Sequence, residues 1–372
     1  MNFKSVLFLA IIVLASASLS AQNAYKFKEK INLDATSTKD QCRTGTCWSY
    51  STTSFIESEL IRMGKGEHDL SEMFNVRVTY PRKAEMYVRY HGKYQFGPGS
   101  LCHDVINAIR DYGVVPESVY DGIEYNADRH DHGEMDAILE GIVKAVVEKR
   151  NAASGATWME AVEGVLDAYL GEMPGEFEYQ GKKYTPASLR DELGIVADDY
   201  VSLTSFTHHP MNSWFVLEVP DNFSQGSFYN VSIDELEQAV VDALENGYTV
   251  AWDADVSERG FSFREGMAIV PPAGTAKDKM FKTIIKEPSV TQEMRQEGFE
   301  NYKTTDDHLM HLTGIAEDQE GNRYFMIKNS WGTGNDYDGY QYISMAYFRL
   351  KTISILLHKD GLSKDLKGRV NG

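Results

Sequence analysis

Gln41-Cys42-Arg43-Thr44-Gly45-Thr46-Cys47-Trp48 is the stretch on which the reading of this chain turns. Residues 22–40 before it read as polar and irregular. After it, Trp48, Phe55, Ile56 and Leu60 recur at helical spacing, with Glu57 and Glu59 off that face. Cys47 is therefore predicted at the first turn of a helix, where unpaired backbone N–H groups and the helix dipole favour an anion. A thiol so placed is biased towards thiolate, the form that attacks carbon. Gln41 lies six residues earlier across a turn containing Gly45, so its side-chain amide can fold back beside the thiol. With the backbone N–H of Cys47 it would give a tetrahedral oxyanion two donors.

A thiolate nucleophile needs a base, and of ten histidines His308 stands out. In Asp307-His308-Leu309-Met310 it opens an apolar, strand-like run that leads to Gly314. A second strand ends in Lys328-Asn329-Ser330-Trp331-Gly332. Neighbouring strands can set His308 beside Asn329, whose oxygen fixes the imidazole tautomer while Trp331 keeps water from that bond. Cys-His-Asn is a known nucleophilic arrangement.

Taken in order, Gln-(five residues)-Cys-Trp, Asp-His-apolar-Met and Asn-Ser-Trp-Gly resemble the papain superfamily of cysteine peptidases. The resemblance implies a two-lobed α+β fold, with a helical lobe carrying Cys47 and a β-barrel-like lobe carrying His308 and Asn329. It also implies peptide substrates, a catalytic set of Gln41, Cys47, His308 and Asn329, and neither cofactor nor metal. Papain-type chains place the histidine about 130–150 residues past the cysteine. Here the separation is 308 − 47 = 261, so roughly one hundred residues are inserted against that spacing.

That insertion resembles the bleomycin hydrolase and aminopeptidase C branch. Further likeness lies in Asp198-Asp199-Tyr200-Val201-Ser202, in His209-Pro210, and from Ile233-Asp234 through Gly247 to Trp252-Asp253-Ala254-Asp255-Val256. The branch implies aminopeptidase action and a multimeric ring. Only about twenty residues separate the expected leader from Gln41, too few for a long inhibitory pro-segment. The branch is typically cytosolic, and the ending Gly368-Arg369-Val370-Asn371-Gly372 does not resemble its cleft-entering arm. Endopeptidase action therefore stays open, as do a transglutaminase-like acyl transferase and a catalytically silent binder.

The rest of the chain fits an α+β protein of two lobes. Past the turn Gly97-Pro98-Gly99-Ser100 a helix runs through Val105, Ile106 and Ile109 to Tyr112-Gly113. Met135, Ile138, Leu139, Ile142, Val143, Val146 and Val147 form one amphipathic stripe, and Trp158, Val162, Val165, Leu166 and Tyr169 another, both read as packing faces. Residues 184–193 read as helix. Ser232 with Glu235 makes a capping box for a helix closed by Gly247. Strands are predicted over 200–206, 214–219, 248–252, 311–316, 324–328, 340–344 and 352–357. The expected division is a leader over 1–21, then a peptidase domain over 22–372. Within it the helical lobe spans about 40–120, the insertion about 121–230 and the β-rich lobe about 245–358.

Lys4 and the apolar run Val6–Leu14, followed by small residues to Ala21, read as a cleaved leader too short to span a bilayer, with a retained anchor as the alternative. The mature protein is expected to be exported, periplasmic or extracellular, with no membrane segment. A net charge of −18 over 372 residues argues against nucleic acid or anionic lipid. Three cysteines in an oxidising compartment leave Cys42 and Cys102 as a candidate pair and Cys47 free. His130, Asp131, His132 and Glu134 match no zinc spacing and read as a solvated loop, as do His208 and His209. His311 reads as structural. Asn222 and Asn230 open formal glycosylation sequons. Asp253 and Asp255 lie at strand spacing and carry no assigned role.

Overall fold

The structure, a computed structural model, describes residues 24–125, 127–149, 157–276 and 279–372. The expected leader thus lies outside the described residues. Among these the helices are α1 (Cys47–Arg62), α2 (Glu72–Arg89), α3 (Cys102–Tyr112), α4 (Gly133–Glu148), α5 (Thr157–Leu170), α6 (Pro186–Leu193), α7 (Ile233–Glu245), α8 (Gln292–Glu300), α9 (Met345–Lys351) and α10 (Lys364–Asn371). The strands are β1 (Lys28–Asn32), β2 (Phe177–Tyr179), β3 (Lys182–Tyr184), β4 (Tyr200–Thr204), β5 (Trp214–Val216), β6 (Ser227–Asn230), β7 (Val250–Ala254), β8 (Phe261–Ser262), β9 (Met267–Ala268), β10 (His308–Glu317), β11 (Arg323–Lys328), β12 (Tyr340–Ser344) and β13 (Thr352–His358). No helix among the described residues is long and apolar enough to cross a membrane.

Local chemistry sets most helix starts. Ser71, Thr185, Ser232, Thr291, Ser344 and Ser363 each accept a backbone N–H of the first turn, and Ser232 with Glu235 closes the expected capping box. The two amphipathic stripes become α4 and α5, which bury Met135, Leu139 and Val143 against Val162, Leu166 and Leu170. Trp48, Phe55, Ile56 and Leu60 of α1 join the same apolar cluster with Phe74 of α2 and Val105 of α3.

The second lobe is one sheet in the order β5-β6-β4-β13-β7-β10-β11-β12-β9-β8, with β1 added onto β10. Its described ends do not pair, so the barrel-like lobe is an open sheet. β4, β5 and β6 lie within the stretch read as insertion, yet they extend this sheet through β13. α7, α9 and α10 cover it, and Leu236, Val240, Phe348 and Leu366 pack onto Trp252, Met310, Phe325 and Ile355. α1 lies between the lobes and is buried from Cys47 to Leu60, against both the helical core and β10.

Further expectations change. Residues 22–40 are not wholly irregular, because Lys28–Asn32 pair with β10. α2 was not predicted, since Pro81 and its many charged residues hide its period. The cysteines are all free thiols, so Cys42 and Cys102 form no disulfide. Cys102 is buried at the start of α3, whereas Cys42 sits on the partly exposed turn at φ 55° with its thiol donating to the Asp40 carbonyl at 3.4 Å.

Candidate active site

α1 begins at Cys47, and unlike most of the other helices it has no side-chain cap. The residue in the capping position, Thr46, spends its hydroxyl on Thr44 at 2.6 Å. Ser49 N–H bonds the Thr46 carbonyl at 2.9 Å, which leaves the N–H groups of Cys47 and Trp48 for an external acceptor. Trp48 fixes the helix end by donating its indole N–H to the Pro98 carbonyl at 2.9 Å. Gly45 permits this approach, since a Cβ there would lie 2.4 Å from Pro98 Cγ.

His308 arrives from the sheet. The β10–β11 register pairs His311 with Lys328, and its continuation by three residues sets His308 opposite Trp331. The rings stack at 4.5 Å between centroids. His308 Nε2 bonds Asn329 Oδ1 at 2.7 Å. The same oxygen accepts the Ser330 backbone N–H at 2.7 Å, and Asn329 Nδ2 donates to Gln341 Oε1 at 2.8 Å. A backbone N–H can only donate, so the atom facing His308 is the amide oxygen. Nε2 must then carry the proton, and Nδ1 is left as the basic nitrogen.

Leu309, the residue after His308, hydrogen-bonds through its backbone to the Cys47 sulfur and brings the two groups to one place. Gln41 joins the same locus. Its Nε2 donates to the Thr44 carbonyl at 2.7 Å, while its Oε1 accepts the Ser330 hydroxyl at 2.7 Å. The structure thus assembles Gln41, Cys47, His308 and Asn329, from three separate segments, at the junction of the lobes.

Burial governs the charges. It pushes the Cys47 thiol up to about 12, against the pull of the Leu309 hydrogen bond, and Asp221, Asp306 and Asp253 push the same way. Burial lowers His308 to about 4, against the hydrogen bond to Asn329. Neither charge is favoured by itself. Transfer of the thiol proton to His308 creates both at once, and their mutual attraction offsets the loss of solvent.

Other singled-out residues fall elsewhere. His311 is fully buried with Nδ1 at 2.9 Å from Ser54 Oγ, in a structural position. His130 and His132 are buried, which corrects their reading as a solvated loop. The loop packs on the nucleophile turn, with Arg43 N donating to the His130 carbonyl and His132 N to the Arg43 carbonyl, each at 3.2 Å. His208 and His209 both meet Glu218, at 3.2 and 2.7 Å, and these three are grouped closely enough for a cation. Asn222 and Asn230 are buried with their amides bonded to backbone, so neither is presented for glycosylation. Asp255 pairs with Lys351 at 3.1 Å. The sequence reading missed Asp306, because only the fold brings it against Asp253.

Residues 97–371 match the Peptidase C1-like family. Aminopeptidase G of Lactobacillus delbrueckii subsp. lactis is 24% identical over 365 residues, covering 88% of this chain and 82% of that protein. Aminopeptidase C of Listeria monocytogenes is 27% identical over 293 residues, covering 70% of this chain and 62% of that one. Among solved structures, PepW from Lactobacillus rhamnosis superimposes with a TM-score of 0.74 at 19% identity, over 92% of this chain and 84% of its own. That match shares the fold described above.

Proposed function

The chain belongs to the Peptidase C1-like family, and from that premise we propose that it is a cysteine aminopeptidase acting through Cys47. The observation that carries the reading is an uncapped helix start bearing a thiol beside a histidine whose tautomer is locked by Asn329. Cys47 gives its proton to His308 Nδ1 and attacks the peptide carbonyl. The developing oxyanion is held by the Cys47 backbone N–H and the Gln41 amide. His308 then protonates the leaving amine, and the acyl-enzyme is hydrolysed by water that the freed imidazole activates. Attack at the N-terminal residue is favoured by the names of the relatives, aminopeptidases G and C.

The test is hydrolysis of an N-terminally free aminoacyl fluorogenic amide and its N-blocked counterpart by wild type and Cys47→Ala. Turnover of the free substrate alone, lost in the variant, is expected. Turnover of the blocked one would make it an endopeptidase. Absence of Cys47-dependent hydrolysis would turn attention to acyl transfer, assayed by amine incorporation, or to a silent binder. We further propose that the protein is exported, a reading supported by the Val6–Leu14 run and the small residues up to Ala21. Recovery of the full-length chain from the cytoplasm alone would overturn it. Multimeric assembly is expected from the branch resemblance, and a monomer on a sizing column would overturn that.

A further inference from the structure

β5 and β6 are joined by residues 217–226, a connection longer than the roughly two to five residues usual in a hairpin. Long ordered loops are where binding and specificity concentrate. This one is built stiff. Asn222 is buried, and its side chain donates to the carbonyls of Leu217 at 2.8 Å and Gly226 at 3.0 Å while accepting the Gly226 N–H at 2.7 Å. Phe223 is buried as well, with the Lys83 ammonium of α2 5.4 Å from its ring centroid.

The loop belongs to the sheet lobe, yet its partners lie in the helical lobe. Asp221 Oδ1 accepts from Gln95 Nε2 at 3.0 Å, and Ser224 Oγ meets His103 Nε2 at 2.7 Å. Gln225 Nε2 donates to the Tyr94 hydroxyl at 2.7 Å and to the Tyr90 hydroxyl. Contact is tightest at two glycines. A Cβ on Gly99 would lie 1.9 Å from Asp221 Oδ2, and one on Gly226 would lie 2.3 Å from His103 Nε2. The turn so gripped, Gly97–Gly99, is the one that borders the nucleophile, through Pro98 against Gly45 and Trp48. Asp221 is also the foremost of the three carboxylates that oppose ionisation of Cys47, which sets the loop beside the thiol. α10 offers no such closure. Its Leu366 and Val370 cluster with Met310, whereas Leu309 packs with α1, so this helix lies on the sheet face away from α1.

We propose that the loop 217–226 is a fixed bar across the acyl end of the cleft, so that a peptide substrate must present its N-terminus where the bar begins. Exclusion is by bulk: residues added ahead of the N-terminal one collide with Asp221 and the backbone around it, whatever their charge. The identity of the closed end rests on the aminopeptidase reading, which requires the acyl side shut and the leaving side open.

The experiment opens the bar and reads kcat/KM on three substrates. An alanyl fluorogenic amide has a single acyl-side residue, an N-acetylated trialanyl fluorogenic amide extends that side, and a quenched peptide with a free N-terminus extends the leaving side. One variant replaces residues 219–225 by Gly-Gly. A second, Asp221→Gly with Gln225→Gly, keeps Asn222 and Phe223 and loosens the cross-lobe contacts, and glycine suits the φ of 57° at position 225. Denaturant unfolding shows which variants fold. Wild type is expected to prefer the alanyl amide strongly over the acetylated one. The shortened loop should raise the ratio of acetylated to free turnover roughly tenfold or more, and the doubly substituted one roughly threefold, both lost with Cys47→Ala. An unchanged ratio in a folded variant overturns the proposal. So does a gain confined to the peptide lengthened on its leaving side, which would put the bar at the other end. Wild type that already cleaves the acetylated substrate as fast as the free one would instead refute the aminopeptidase reading, and the cleft would have no bar.

Discussion

Asn329→Ala should cost activity and stability by separable amounts. The side chain accepts from His308 Nε2 and from Ser330 N–H, and donates to Gln341 Oε1, at 2.7, 2.7 and 2.8 Å. Gln341 is fully buried and its Nε2 already lacks a partner, so the truncation orphans its other end as well. Water entering the vacated space recovers part of the loss, and with orphaned groups at about 1–3 kcal/mol each the net destabilisation should be about 3 kcal/mol. Catalysis suffers through the imidazolium. A hydrogen bond to a charged group is worth about 1.5–3 kcal/mol, which predicts a fall in kcat/KM of roughly 10- to 150-fold. Gln341→Met separates the two effects. It removes the outer acceptor but leaves the His308 bond, so it should lose about 1 kcal/mol of stability and far less than tenfold in rate. Denaturant unfolding gives the first quantity and steady-state kinetics the second. A folded Asn329→Ala enzyme with kcat/KM within twofold of wild type would refute the tautomer-locking argument.

Two further outcomes are expected. Glu287 accepts from Val270 N–H and from Ser344 Oγ, and burial raises it from its ordinary 4.5 to about 7, against those hydrogen bonds. Its folded value is thus above its unfolded one, so its stabilising contribution is present in full below pH 4.5 and is lost as pH rises through 7. Lowered histidines such as His308 contribute the opposite slope. The readout is therefore the wild-type minus Glu287→Gln difference in unfolding free energy, which should shift in the variant's favour across that window. A constant difference would count against it. Gly45→Ala drives a Cβ to 2.4 Å from a proline ring carbon. It should destabilise by about 1–3 kcal/mol and slow alkylation of Cys47, and unchanged alkylation would show that the turn does not position the thiol.

Much of this site was legible because its chemistry is local. A cysteine after a glycine-containing turn, a histidine opening a strand and an asparagine closing one each announce their place in the fold. The unusual helix start was not legible, since Thr46 looks like a cap until its hydroxyl is seen on Thr44. β1 escaped because Lys28-Glu29-Lys30 face solvent along its length and show no alternation. The cysteine pairing followed from parity alone, and the positions of the thiols overrode it. His130 and His132 are polar in sequence, but contacts with residues far along the chain bury them. Asp253 and Asp306 are 53 positions apart and meet only because β10 pairs with β7, which no short motif encodes.

The strap that leads into the nucleophile has a consequence for the order of events during synthesis. β1 zips onto β10, Lys28 opposite Glu317, and nearer the thiol Gln41 N–H bonds the Ser330 carbonyl at 2.9 Å while Gly332 N–H bonds that of Lys39 at 3.1 Å. The residues immediately upstream of Cys47 therefore have no template until residues 314–332 have left the ribosome. Contacts of such long sequence separation form late. A nascent or truncated chain would carry the thiol without its base and without the turn that aims it. Synthesis of the segment from β10 to Gly332 is thus itself the event that arms the enzyme.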